Sequence, residues 1–89
     1  MLVLPAQLTH AQALSCLRML VQGLPAQAGN PVAVDASALE DFDSAALAVM
    51  IEFRCECLSQ GKQMVVRGLS QSLARLAALY GIEELLAVA

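Results

Sequence analysis

Hydrophobic positions recur along this chain in two rhythms, short unbroken runs and three-four spacing, and their alternation predicts an α/β fold. Met1 to Leu4 is a short apolar run, expected as an edge strand because Pro5 cannot donate to a ladder. Thr9 and Gln12 have the spacing of a capping box, and Ala13, Leu14, Leu17, Leu20, Val21 and Leu24 follow at helical intervals. A first helix is therefore expected from His10 to Gln22, its apolar face on the sheet, with Gly23 and Pro25 as its stop. Pro25 to Pro31 reads as a loop that bends at Gly29-Asn30. Val32 to Asp35 lacks polar alternation, as a short strand buried between helices does. A second helix is expected from Ser44 to Ser59. Leu47, Met50, Ile51, Phe53, Cys57 and Leu58 fall on one arc of it, and Ala45, Ala48, Glu52, Glu56 and Ser59 on the opposite one. Lys62 to Arg67 supplies another strand, centred on Met64, Val65 and Val66 and bounded by Gly68. The last helix runs from Ser70 or Gln71 to Tyr80, with Leu73, Leu76, Ala77 and Tyr80 inward and Gly81 as C-cap. Ile82 to Val88 is an apolar tail, either a final helical turn or an added edge strand. The order is βαβαβα, for which parallel pairing with right-handed crossovers is expected.

The chain is organised around Val32 to Leu47, where a strand ends in Asp35, a short crossing carries Glu40, Asp41 and Asp43, and Ser44 opens the long helix. A hydroxyl at that helix start lies where unpaired backbone N–H groups favour an anion. Its ordinary role is that of an N-cap or first-turn residue; the alternative is a regulated hydroxyl, since phosphate there would meet those N–H groups and repel Asp41 and Asp43. The three carboxylates read first as a solvated turn that helps start a helix, and second as a partner contact. Phe42 is expected to plug the edge of the core. Arg54 falls inside the apolar arc, so it either snorkels to the rim or meets a carboxylate or a partner.

Composition narrows the chemistry. At 89 residues and 58% hydrophobic, with Phe42, Phe53 and Tyr80 as its aromatic residues, the chain is expected to form one domain, residues 1–89, packed with aliphatic side chains. A net charge of -3 and scattered cations argue against nucleic acid. Met1 to Leu4 is too short and uncharged for a signal peptide, and no unbroken apolar stretch reaches the length of a membrane span. Three cysteines suit reduced thiols and a cytoplasmic address; Cys55 and Cys57 are two apart on a helix, too divergent to share a metal or a disulfide. Cys16, Cys55 and Cys57 read as fillers, Cys55 nearest to solvent. His10 has no second histidine beside it, and no glycine-rich phosphate loop follows a strand. No catalytic set, metal site or cofactor site is expected. The high aliphatic content leaves a small-hydrophobe or lipid carrier as a further class.

Val32-Ala33-Val34-Asp35-Ala36-Ser37 followed by Phe42-Asp43-Ser44-Ala45-Ala46-Leu47 resembles the STAS domain, in its MlaB-like branch, and Ser70 to Leu86 resembles that branch's closing helix and tail. The resemblance implies a small mixed β-sheet with flanking helices and no enzymatic activity. It further implies binding to the cytoplasmic ATPase subunit of an ABC transporter that moves phospholipid between the membranes of Gram-negative bacteria, so that membrane association is indirect, at the inner face of the inner membrane. The docking surface it implies is the helix that begins at the Asp-Ser segment. The partner-facing residues would be Asp43, Ser44, Ala45, Ala48 and Glu52, with Leu47 and Met50 setting the helix from below. Ser44 matches the hydroxyl that is phosphorylated in the anti-sigma factor antagonist branch, which gives the alternative of a phospho-switch. Two departures stand out. Family members usually have another N-terminal strand, so the sheet here is either a strand short or completed at its edge by a partner or a second copy. Ala45-Ala46 also stands where antagonists commonly have glycine, which favours the transporter reading.

Overall fold

The structure is a computed structural model and describes residues 2–86. Its main sheet has three strands in the order β1 (Leu2–Val3), β3 (Val32–Asp35), β5 (Met64–Arg67); a two-stranded ladder joins β2 (Gln7–Leu8) to β4 (Asp41–Phe42). All pairings among these strands are parallel, as strands linked through crossover helices require. Three α-helices complete the order: α1 (Ala13–Gly23), α2 (Ser44–Ser59) and α3 (Gln71–Leu79). This is a small sheet with flanking helices, the α/β arrangement that the sequence pattern predicts.

The N-terminal segment supplies two short strands where one was expected. β1 sits at the sheet edge, as Pro5 demands, and β2 pairs with a strand inside the carboxylate crossing. Residues 36–43 are therefore not a plain turn. The α1 helix begins three residues later than its sequence pattern suggests, because Thr9 and Gln12 close a separate turn first. Both the N–H and the hydroxyl of Thr9 donate to Oε1 of Gln12, at 2.9 and 2.7 Å, while the Gln12 N–H donates back to the Thr9 carbonyl at 3.0 Å.

The core draws on every layer: Leu20 and Leu24 below α1, Val32, Val34 and Val66 from the sheet, Met50 and Phe53 from α2, and Leu73 and Ala77 from α3. Three inward assignments are corrected. Leu14 is 60% exposed, because the buried stripe of α1 is centred near Ala13, Leu20 and Leu24, and Leu14 lies about 100° round from it. Leu58 is 46% exposed for the same reason: Ala46 and Val49 are buried, which turns the inward arc of α2 away from Leu58. Tyr80 is also exposed, since α3 ends at Leu79 and Gly81 takes the left-handed turn after it. The tail makes a 3-10 turn at Glu83–Leu85 and buries Leu86; Val88 lies outside the described residues.

Candidate functional site

β3 and β5 end side by side at the carboxyl end of the parallel sheet, where Asp35 pairs in register with Arg67. Asp35 closes β3, and its Oδ1 accepts the Ser37 N–H at 2.9 Å; the hydroxyl and then the backbone N–H of Ser37 hold its carboxyl below the usual carboxylate range. Gly68, at the end of β5, has φ +71° and packs on Ser37 so closely that a Cβ there would lie 2.7 Å from the Ser37 Cβ. Ser70 caps α3, its Oγ accepting the Leu73 N–H at 3.1 Å.

The crossing from β3 to α2 is held by the N-terminal segment. The carbonyl of Ala6 accepts from the N–H groups of Glu40 and Asp41 at 2.8 and 3.0 Å, and Gln7 Nε2 donates to Asp41 Oδ2 at 3.1 Å. Asp43 is the N-cap of α2, so Ser44 is its first helical residue rather than its cap. One oxygen of Asp43 accepts the Ala45 N–H at 2.8 Å, and the other accepts the N–H of His10 at 3.1 Å. That single carboxylate fixes the start of α2 and draws the approach to α1 against it. Asp41 and Asp43 thus have structural work although, like Glu40, they are exposed.

Past this cap, the outward face of α2 is low. Ser44, Ala48 and Glu52 are exposed and Ala45 is half-buried, so four of the sequence-derived contact residues share one accessible strip with Asp43 at its head. Leu47 does not reach it: at 2% exposure it lies underneath with Met50 and supports the helix from the core. Beside the strip, α1 and α2 leave a shallow groove of about 230 Å3 lined by Ala13, Leu14, Leu17, Ala48, Val49 and Glu52. The α1 wall of this groove was not evident from sequence, because each helix looks complete by its own periodicity. No signal in either helix alone points to it, since Leu14 belongs to the apolar arc of α1 and only the packing leaves it exposed.

Elsewhere, Arg54 is half-buried and lines a cavity of about 300 Å3 with Leu58, Gln63, Met64 and Glu84, at the far end of α2. Phe42 packs half-buried against the core. Cys16 and Cys57 are buried, which pushes their thiols up, and Cys55 is exposed. Among the described residues no group of three His, Cys, Asp or Glu side chains gathers to hold a metal ion, and no helix is long and apolar enough to cross a membrane.

No curated protein matches the chain. A family model described as "Mlab, STAS domain" matches residues 1–87, nearly the whole sequence. The residues that carry the resemblance, from Val32 to Leu47 and from Ser70 to Leu86, also occupy the strand, crossing and helix positions just described, and the chain belongs to the STAS domain family, in its MlaB-like branch.

Proposed function

We propose that this protein is a non-enzymatic accessory subunit, acting as one STAS domain, that binds the cytoplasmic ATPase subunit of an ABC transporter for phospholipid trafficking and supports its assembly or activity. STAS domains act generally as protein–protein interaction modules, and the MlaB-like ones are linked to ABC-transporter accessory roles. The observation that carries the reading is the start of α2. Ser44, Ala48 and Glu52 form an exposed strip with little side-chain bulk, and the Asp43 cap holds it in one position. Small residues let another backbone approach closely, and a strip already fixed in place loses little freedom when it is covered. Its place of action is the cytoplasm, at the inner face of the inner membrane when in complex.

Ser44→Arg tests this directly. Ser44 is exposed, so the variant keeps the melting temperature of the parent, while the long side chain holds the partner off and co-purification of the ATPase subunit falls about tenfold or more. Retained complex formation by the folded variant would remove the reading.

A second reading, a phospho-switch of the anti-sigma antagonist kind, is favoured by the exposure of Ser44 at the first helical position, open to a kinase. It predicts stoichiometric addition of one phosphate at Ser44 by a cognate serine kinase, read by intact mass. An unmodified protein after incubation with that kinase rules it out.

A further inference from the structure

We propose that the groove between α1 and α2 is the second half of this docking surface. It seats one large apolar side chain from a helix of the partner, and a Lys or Arg one turn along that helix reaches Glu52. The proposal builds on the reading that the α2 strip binds a protein, and it adds what that protein must present.

The groove's lining is aliphatic apart from Glu52 at its rim. Leu14 shows 60% of its surface to solvent there although apolar neighbours flank it, and Val49 makes a buried floor. A cavity of about 150 Å3 accepts a benzene ring. The groove, at about 230 Å3 and open above, has room for a leucine- or phenylalanine-sized group.

The walls decide between a helix and a strand as the occupant. An incoming strand docks through backbone hydrogen bonds along a sheet edge. Both walls here are α-helices, whose N–H and C=O groups are already used within each helix away from its ends. The occupant must therefore engage by side chains alone. A helix does this with residues three or four apart, placing an apolar group and its neighbour one turn away on the same face.

Charge selects the neighbour. Glu52 and Glu56 stand exposed one turn apart on the outward side of α2, and Arg54, the one cation of this helix, points to the opposite cavity with Glu84. On the α1 side Arg18 is exposed one turn beyond Leu14, so the acidic groups belong to the α2 wall and the cation to the α1 wall. A partner cation placed against Glu52 therefore sits toward the α2 wall and away from Arg18, since opposite potentials across an interface set register.

The test measures binding of the purified protein to the cognate transporter ATPase subunit by calorimetry, with melting temperature as the check on folding. Leu14→Asp is expected to weaken binding about tenfold or more and Leu14→Ala about threefold, because a charge cannot enter a dry pocket and a shorter side chain only trims it. Leu79→Asp, at an 80% exposed leucine on α3, is expected to bind as the parent does. Glu52→Lys is expected to weaken binding and to remove most of its dependence on salt. If Leu14→Asp binds like the parent while Ser44→Arg abolishes the complex, the contact stops at α2: the functional reading stands and this inference falls. If the parent protein itself does not bind the ATPase subunit, both fall. A Glu52→Lys protein with unchanged affinity and salt response overturns the basic partner helix.

Discussion

The two ends of α2 are built differently. At its start, the chain is fixed from several directions: β4 pairs with β2, Ala6 accepts two N–H groups from the crossing, and Asp43 bonds both Ala45 and His10. At its finish, the helix terminus closes on itself and distant contacts begin only after it. Gly61 turns at φ +73° with open space around it, and the Lys62 N–H returns to the Cys57 carbonyl at 2.9 Å, with the Lys62 ammonium reaching the carbonyl of Gln27. Side chains follow the same division. The fixed end shows Ser44 and Ala48, whereas the other end shows Leu58 and Arg54 around a cavity. A low surface offers few contacts of its own, so it recognises a partner only if its shape is constant. At the start the distant bonds fall on the cap itself, whereas at the finish they fall on the residues after the helix, Lys62 on Gln27 and Gln63 on Asn30.

Substitutions at the two ends sharpen this contrast. Gly68→Ala is expected to have the largest effect, more than about 2 kcal/mol, because the left-handed backbone costs about 1 kcal/mol or more and the new Cβ would also meet the backbone of Ser37. Chemical denaturation of the purified variant measures it. Asp43→Ala comes next, at about 1 to 2 kcal/mol, since it removes a helix cap and the link to His10 together. Hydrogen exchange should speed up at the starts of both α1 and α2; acceleration at α2 alone would mean that the link to His10 is idle. Gly61→Ala, with the same backbone sign but nothing to collide with, is expected to cost about 1 kcal/mol and to leave partner binding unchanged. An equal loss from Gly61→Ala and Gly68→Ala would break the comparison.

The smallest effect is in acid. The carboxyl of Asp35 is held low by Ser37, so its contribution is complete above the pKa of an unfolded aspartate and disappears as pH falls through its lower folded value. Asp35→Asn should therefore lower the melting temperature slightly at neutral pH, with the difference from the parent closing as the solution is acidified through the carboxylate range. A difference that stays constant in acid would show that Ser37 does not favour the charged form.

How much of this was legible in the sequence depended on whether a feature is local. Val32–Asp35 and Ser44–Ser59 have the limits that their patterns indicate, since a run of β-branched and small apolar residues, or sixteen residues at helical spacing, carries its own signal. Ser44, Ala48 and Glu52 are exposed as their helical phase requires. The β2–β4 ladder was not legible. Each of its strands is two residues long, and Asp41 sits among carboxylates that composition assigns to a turn; the partner lies 34 residues away. Leu14 and Leu58 were misplaced because a wide apolar arc does not say which part of it faces the core. That is decided by neighbours, here Ala46 and Val49 on α2 and the stripe from Cys16 to Leu24 on α1. The groove escaped notice for the same reason: it belongs to two helices at once.

One aspartate is bonded to both His10 and Ala45, so the approach to α1 and the start of α2 are tied by a single side chain. Both walls of the groove thus start from one anchor, like the jaws of a clamp that share a pin.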